Sequence, residues 1–281
     1  MARRWFLVAI ALAGVVTAGC EPRAGAQPPG PAPPKGTLPS SMAALGDSIT
    51  TGFGACLALS ACQRNSWATG YGSRVNSHYR RIESDNSAIR GHAVNLAVAR
   101  ARAADLTSQA QAAVRQKAAY VTVLIGGNDI CRGGVSDMTS TEDFRAALDR
   151  AFGTLRKGLP KARVLVVSLP DLYRLWEIGH TNTRVVHLWS VGVCPALLAN
   201  PTSTVDADVR RRASVRDRVD AYNRALAAAC RAYGPRCRYD GGAAHRVRFT
   251  LDMLNAFDYF HPDTDGQNAL AAATYPGSFT W

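Results

Sequence analysis

Two short runs of apolar, β-branched residues constrain the fold of this chain more than any other feature. Residues 120–125 read YVTVLI and end at two glycines, and residues 163–169 read RVLVVSL and end at a proline. Continuous apolar runs of this length are typical of strands that are buried on both faces. Between them, residues 141–159 have acids in the first helical turn and bases in the last. This order predicts a parallel sheet with helices on both faces.

Polar clusters follow two of the predicted strands. A short apolar run at 42–45 leads into Gly-Asp-Ser at 46–48, and the run at 120–125 leads into Gly-Gly-Asn-Asp at 126–129. In a parallel sheet with helices on both faces, ligands bind beyond the carboxyl ends of the strands. We therefore expect a functional site at this edge of the sheet.

The first residues of the chain have the organisation of an export signal. Arg3 and Arg4 precede an apolar run at 5–16, and small residues continue to Cys20. The run is shorter than the roughly 20 residues that a membrane-spanning helix needs. We interpret residues 1–19 as an export signal peptide.

Two modes of processing remain open. Residues 17–20, Thr-Ala-Gly-Cys, resemble a lipoprotein box in which Cys20 becomes the lipidated N-terminus, whereas residues 24–26, Ala-Gly-Ala, offer an ordinary cleavage site for free secretion. Lipidation at Cys20 is favoured by the cysteine count below. The two arginines near the start also resemble a twin-arginine motif, so the sequence leaves the export route open as well.

A proline-rich segment separates this signal from the folded domain. Residues 21–39 contain seven of the fourteen prolines, which is typical of an extended tether without a core of its own. We expect residues 20–39 to form this tether and residues 40–281 to form a single folded domain.

The seven cysteines indicate a location outside the cytoplasm. If Cys20 carries lipid, six remain, an even set that predicts a disulfide framework in an exported chain. Six cysteines allow fifteen pairings. Short spacing favours two local bridges and leaves a third, without excluding other pairings: Cys56–Cys62, Cys230–Cys237 and Cys131–Cys194. We expect a secreted protein or a lipoprotein on the outer face of the membrane.

The sequence argues against a nucleic-acid-binding protein and against a metalloprotein. The chain carries 33 Lys and Arg against 21 Asp and Glu, a formal charge of +12, but no nucleic-acid recognition module accompanies it. The sequence has no C-x-x-C and no H-E-x-x-H motif. We therefore expect no nucleic-acid partner, no metal and no cofactor, and we expect a monomer.

A serine, a histidine and an aspartate are spaced for nucleophilic catalysis. A serine nucleophile needs a base that takes its proton, and the base needs a group that orients it. Ser48 follows the first predicted strand, and Asp258 stands three residues before His261, so its carboxylate can reach Nδ1 and leave Nε2 for the serine. The backbone N–H of Ser48 and the side-chain amide of Asn128 are candidate donors to an oxyanion.

A second acid–base pair has the same spacing but a different setting. Glu177 precedes His180 by three residues, within a segment rich in Leu, Tyr and Trp. Because spacing alone does not establish geometry, we prefer Asp258 and His261 as the catalytic pair.

Four short blocks, in this order, resemble those of the SGNH (GDSL) hydrolases. They are Gly46-Asp47-Ser48-Ile49, Asn95 with Ala97, Gly126-Gly127-Asn128-Asp129, and Asp258-x-x-His261-Pro262. Within that family the chain resembles actinobacterial extracellular lipases and esterases. The resemblance implies a three-layer α/β/α, flavodoxin-like fold with a five-stranded parallel sheet. It also implies ester hydrolysis without metal or cofactor, with Ser48 as nucleophile, His261 as base and then acid, and Asp258 as its partner.

The second block departs from the family pattern. Where the family has a glycine whose N–H binds the oxyanion, this chain has Arg100. A backbone N–H survives the exchange unless the position needs a positive φ, where a side chain is penalised. We expect the Arg100 N–H to donate; its guanidinium either binds an anionic group such as a phospholipid phosphate or obstructs the acyl site.

The substrate is predicted only in outline. Residues 171–201 are rich in Leu, Tyr and Trp, which fits either helices that face the core or a groove for an acyl chain held open by Cys131–Cys194. An apolar groove together with a positively charged surface favours lipid or phospholipid esters as substrates. We also expect the protein to contact the membrane, either peripherally or through a lipid anchor. Short acyl or polysaccharide esters remain alternatives, as does a weakly active or non-catalytic binding protein in which Arg100 marks lost activity.

Overall fold

The computed structural model describes Met1 and residues 38–281, and the residues from 38 onward fall within one structural unit. The predicted export signal, the lipidation site Cys20 and nearly all of the tether lie outside the described residues. Among the described residues, no helix combines the length and apolar character needed to cross a membrane.

Five parallel strands form the central sheet in the order β2-β1-β3-β4-β5. Their bounds are β1 Met42–Gly46, β2 Ala93–Asn95, β3 Tyr120–Leu124, β4 Arg163–Val166 and β5 Cys237–Tyr239. Strands β1 and β3 are buried along their whole length, as their apolar sequences predict. The three-layer α/β fold with a five-stranded parallel sheet is confirmed.

Nine α-helices are present among the described residues. They are α1 His78–Asp85, α2 Leu106–Arg115, α3 Gly127–Ile130, α4 Thr141–Gly158, α5 Leu172–Gly179, α6 Thr183–Trp189, α7 Pro195–Leu198, α8 Asp206–Tyr233 and α9 Thr264–Thr274. Ser77 caps α1 by accepting a hydrogen bond from the Arg80 N–H, so the segment before it forms a loop.

Helices cover the sheet in two groups. Helix α4 packs against α2 on one side and α8 on the other. Helices α1 and α9 meet at His78, whose Nδ1 lies 3.0 Å from the Tyr120 hydroxyl of β3 and whose Nε2 lies 3.0 Å from Thr274 Oγ1. Burial lowers the pKa of His78 to about 3, so this histidine is a neutral hydrogen-bonding link in the core.

Three disulfides are present among the described residues, and one of them, Cys230–Cys237, joins α8 to the start of β5. They join the pairs favoured by spacing, Cys56–Cys62, Cys131–Cys194 and Cys230–Cys237. The long-range bridge connects the end of α3 to the start of α7, and so attaches the 171–201 segment to the loop that follows β3. A set of this kind is consistent with an oxidising compartment.

Candidate active site

The turn after β1 places Ser48 at the carboxyl edge of the sheet. Gly46 ends the strand with φ +152°, and a Cβ there would collide with the carbonyl oxygen of Leu124. The buried side chain of Gln109 holds the same residue from α2: its Oε1 accepts the Gly46 N–H at 2.8 Å and its Nε2 donates to the Gly46 carbonyl at 2.9 Å. Both polar groups of the Gly46 backbone are therefore paired, which fixes the start of the turn that carries Ser48.

Ser48, His261 and Asp258 form a continuous chain of hydrogen bonds. The Oγ of Ser48 lies 2.9 Å from His261 Nε2, and His261 Nδ1 lies 2.7 Å from Asp258 Oδ2. The other carboxylate oxygen of Asp258 accepts the N–H groups of Phe260 and His261, so one aspartate fixes both the turn and the ring. This assigns Nδ1–H as the donor to Asp258 and Nε2 as the acceptor from Ser48.

The triad is reachable at its histidine end. The His261 side chain is 16% exposed, whereas Ser48 and Asp258 are buried, at 8% and 7%. The Phe53 ring packs against the imidazole with its centroid 4.6 Å away. Burial of the carboxylate beneath a partly open imidazole is the arrangement that a proton-transferring histidine needs.

Asp47 is a buried carboxylate immediately before the serine. Its Oδ1 accepts the Ile49 N–H at 3.0 Å, and its Oδ2 is buried without a hydrogen-bond partner among the described residues. Burial raises the pKa of Asp47 to about 7, although the Ile49 N–H and the charge of His261 act in the opposite direction. Asp47 thus shapes the turn and carries a proton over much of the acidic range.

Two backbone N–H groups at the carboxyl edge of the sheet have no acceptor within the described part of the protein. Within residues 38–281, neither the Ser48 N–H nor the Arg100 N–H donates to a protein acceptor. Asn128, at the start of α3, uses Nδ2 to donate to the Ala101 carbonyl at 3.0 Å, and its amide has a second hydrogen to offer. These three groups are the candidate oxyanion donors.

Arg100 adopts the left-handed backbone region, with φ +69°. Its side chain is exposed and forms no ion pair within residues 38–281. A non-glycine residue here costs about 1–2 kcal/mol relative to the right-handed region. The position therefore has the positive φ at which a side chain is penalised.

Asp129 joins the two loops that carry Arg100 and Asn128. Its Oδ2 accepts the Ala103 N–H at 2.9 Å, and its Oδ1 accepts the Thr139 hydroxyl at 2.9 Å. Burial raises the pKa of Asp129, although both hydrogen bonds favour its charged form. The carboxylate acts as a positioning group for the loops and makes no direct contact with the triad.

The sequence analysis did not identify two buried side-chain amides, those of Gln109 and Gln267. Besides Gln109, Gln267 of α9 donates to the Ile49 carbonyl at 2.9 Å and accepts the Trp67 N–H at 2.9 Å. Asn95, in the second block, donates to the Thr50 carbonyl at 2.7 Å, so it too braces the turn. The signal for both glutamines is a polar residue on the apolar side of an amphipathic helix, where an unpaired amide is costly.

The alternative acid–base pair is not assembled. Glu177 binds Arg174 at 3.2 Å, and His180 Nδ1 lies 2.9 Å from the Trp176 carbonyl. Both residues lie on or next to α5 and are engaged locally, which leaves Asp258 and His261 as the pair next to a serine.

The 171–201 segment forms part of the core to a greater extent than it forms a groove. Of its eight Leu, Tyr and Trp residues, five are buried: Leu172, Leu175, Trp189, Leu197 and Leu198. Leu172 and Leu175 line a small apolar cavity of about 20 Å³ with Ile49 and Pro262, the residues next to Ser48 and His261. A cavity of this size holds about one water molecule, so it admits no acyl chain in the observed conformation.

A wider pocket lies beside the triad. It has a volume of about 640 Å³ and is lined by Leu57, Phe257, Arg74 and several acidic residues, but by neither Ser48 nor His261. Among the described residues, no group of three His, Cys, Asp or Glu side chains is arranged to hold a metal ion.

Comparison with known proteins places the chain in a family. The sequence model of the GDSL-like lipase/acylhydrolase family matches residues 44–269. No curated protein sequence matches the chain. Similar solved structures include a lipase from a goat rumen metagenome, with TM-score 0.53, 14% identity, 85% of this chain and 97% of that chain covered. A mutant Geobacillus acetyl-xylooligosaccharide esterase has TM-score 0.50 and 17% identity, with 86% and 94% covered.

The extracellular lipase of Streptomyces rimosus matches with TM-score 0.49 and 18% identity, with 83% of this chain and 99% of that chain covered. At these identities the two solved structures with TM-scores of 0.50 and 0.53 show the fold, and the family match, which spans most of the chain, shows the family. Membership in it implies a carboxylic ester hydrolase. The chain belongs to the GDSL-like lipase/acylhydrolase family.

Proposed function

We propose that this protein is an exported serine hydrolase of carboxylic esters that uses Ser48, His261 and Asp258 as a catalytic triad. The observation that carries the proposal is the chain of two short hydrogen bonds, 2.9 Å and 2.7 Å, that links the three side chains. A nucleophile, a base and an orienting carboxylate in hydrogen-bond contact are the arrangement that acyl transfer requires.

Acylation starts with the serine hydroxyl. His261 Nε2 takes the proton of Ser48 Oγ as the oxygen attacks the ester carbonyl carbon, and Asp258 stabilises the imidazolium that forms. The carbonyl oxygen becomes an oxyanion, which accepts hydrogen bonds from the N–H groups of Ser48 and Arg100 and from Asn128 Nδ2. Collapse of the tetrahedral intermediate breaks the bond to the alcohol oxygen, and His261 returns the proton to the departing alcohol.

Deacylation repeats the sequence with water. His261 removes a proton from a water molecule, whose oxygen attacks the acyl carbon of the Ser48 ester. The second tetrahedral intermediate uses the same donors, and its collapse releases the carboxylic acid while His261 returns the proton to Ser48 Oγ. Each cycle consumes one ester and one water and restores the free serine.

For the substrate, we propose esters of lipids or phospholipids. The formal charge is +12, and it is still +10 once Arg3 and Arg4 leave with the proposed signal peptide. Together with the exposed side chain of Arg100, whose N–H is a candidate oxyanion donor, this charge favours ester substrates that carry an anionic group. Short acyl esters are the second candidate, because the apolar cavity beside Ser48 measures about 20 Å³ and leaves a long chain to lie on the protein surface.

For location, we propose export followed by lipidation at Cys20, in keeping with a set of six other cysteines that are all paired in the described structure. Cys20→Ser should move the protein from the membrane fraction to the medium. An unchanged distribution between the two fractions would support free secretion after cleavage near residues 24–26 instead.

Hydrolysis of p-nitrophenyl esters tests the proposed activity. Ser48→Ala should abolish turnover, and it should also abolish covalent labelling by a fluorophosphonate, whereas the exposed Ser136→Ala should change neither. Equal background rates for the wild type and Ser48→Ala would make the chain a non-catalytic member of the fold. A series of acyl-chain lengths then separates the substrate candidates: a maximum at acetyl or butyryl supports short esters, and a maximum at long chains supports lipids.

A further inference from the structure

Exposed apolar side chains project from the two loops that hold the triad in place. Leu57 is 78% exposed, Leu59 46% and Phe257 60%. The first two lie in the loop closed by the Cys56–Cys62 disulfide, and Phe257 directly precedes Asp258. Single exposed apolar residues are common on proteins, but three on two joined loops at the edge of a site form a patch.

A buried side-chain amide joins the two loops that carry the patch. Asn255, which is buried, donates from Nδ2 to the carbonyls of Gly54 and Leu57, at 2.6 Å and 3.1 Å, and so ties one loop to the other. Leu57 itself has φ +75°, a region that leucine rarely adopts. A rigid loop that keeps a leucine exposed in an unfavourable conformation points to a contact outside the chain.

Arginines lie on the loops that follow the neighbouring strands. Arg100 and Arg102 follow β2, and Arg132 follows α3 beyond β3, so they flank the turn of Ser48 on the adjacent strands. All three are exposed, and none forms an ion pair within residues 38–281. Three carboxylates, Asp252, Asp263 and Asp265, line the wide pocket together with Arg74 and with Leu57 and Phe257 of the apolar patch. Anionic groups are thus favoured at the arginines and disfavoured in that pocket.

We propose that this edge of the sheet docks on a lipid bilayer that contains anionic phospholipids. Leu57, Leu59 and Phe257 enter the interface, and Arg100, Arg102 and Arg132 bind lipid phosphates. Exposed apolar side chains and exposed arginines on one edge of the sheet match the apolar interior and the charged surface of such a bilayer. Docking of this edge places lipid esters next to Ser48. This inference deepens the proposed lipid specificity and rests on it only for the nature of the substrate.

Vesicle co-sedimentation tests the docking independently of catalysis. All variants carry Cys20→Ser, to remove any lipid anchor, and Ser48→Ala, so that the vesicles stay intact. The protein should bind vesicles of phosphatidylcholine with phosphatidylglycerol more tightly than vesicles of phosphatidylcholine alone, and added salt should weaken the difference. Failure to bind either vesicle overturns the docking proposal and leaves ester hydrolysis untouched.

Paired substitutions locate the surface. Leu57→Ser with Phe257→Ser should weaken binding to mixed vesicles by about 10-fold or more, because two large side chains lose their burial. The matched control, Val205→Ser with Val209→Ser, changes exposed apolar residues at the start of α8 and should leave binding unchanged. An equal loss in both pairs contradicts a patch at the triad loops. Thermal midpoints of all variants report whether they fold.

Charge variants test the arginine half. Arg102→Gln with Arg132→Gln should weaken binding about 10-fold on mixed vesicles and leave binding to phosphatidylcholine alone as it was. Arg115→Gln with Arg224→Gln removes the same charge from exposed positions on α2 and α8 and should have a smaller effect. If both pairs weaken binding equally, net charge accounts for the attraction and the proposed phosphate contacts are wrong.

Discussion

Arg100→Gly tests the conformation of the loop that carries a candidate oxyanion donor. Arg100 has φ +69°, whereas Arg102, two residues later, has φ −110° in the extended region. Both side chains are exposed, and neither forms an ion pair within residues 38–281. The same substitution at the two positions therefore differs mainly in the backbone conformation that it meets.

The expected changes in the free energy of unfolding have opposite signs. At position 100, glycine relieves a left-handed penalty of about 1–2 kcal/mol. Glycine also adds freedom to the unfolded chain, which costs about 0.4–1 kcal/mol. The midpoints of the two ranges leave a gain of about 0.8 kcal/mol, or a rise in Tm of about 2–3 °C for a domain of this size. At position 102 only the unfolded-chain term remains, so Arg102→Gly should lower Tm.

Differential scanning calorimetry of the two variants, with urea unfolding as a second measure, gives the comparison. Because Arg100→Gly retains the backbone N–H, its kcat on a neutral soluble ester should equal or exceed that of the wild type. A lower Tm for Arg100→Gly, equal to that of Arg102→Gly, would refute the reasoning, since it would mean that the left-handed conformation carries no penalty here. A loss of kcat at raised Tm would instead assign the guanidinium a part in the reaction.

The other predictions concern the triad, the donors and the buried carboxylate before the serine. Asp258→Asn should lower kcat by at least about 100-fold with little change in KM, because it removes the group that fixes the histidine tautomer. Asn128→Ala should lower kcat about 100–1,000-fold if its amide binds the oxyanion, and an unchanged kcat would exclude that role. Asp47 has a folded pKa of about 7 against an ordinary value of 3.8, so the folded protein holds a proton that the unfolded chain releases. Stability should fall as the pH rises between those values, and Asp47→Asn should be more stable than the wild type above pH 7 with little gain below pH 4, as urea unfolding at several pH values will show.

The sheet was predictable where burial leaves a simple pattern. Strands β3 and β4 are continuous apolar runs because helices cover both faces, and residues at turns interrupt them. Strand β5, Cys237–Tyr239, was not predicted, because it is a short edge strand whose middle residue is exposed and whose sequence reads Cys-Arg-Tyr. Its place in the sheet depends on parallel pairing with β4, a contact that no local pattern records.

The candidate site was predictable in its side chains and less so in its supports. An aspartate three residues before a histidine constrains its own geometry, since both belong to one turn. Gln109 and Gln267, in contrast, reach the serine turn from two helices that are distant in the sequence. The left-handed φ of Arg100 was likewise not predictable, because glycine often indicates a positive φ whereas arginine does not.

The apolar segment at 171–201 shows why substrate preference is harder to predict than fold. A helical stripe of leucines and aromatics predicts that one face of the helix is buried, but it does not indicate whether the protein core or a ligand buries that face. Here the excluding partner is the protein itself, because Leu172, Leu175 and Trp189 are buried in the core. Apolar side chains that remain free to meet a substrate are those that stay exposed in the folded protein, and near the triad these include Leu57, Leu59, Phe257 and Val98. Lipid contact, where it occurs, therefore depends on loops whose sequence has no periodicity, and a search for periodic apolar stripes overlooks them.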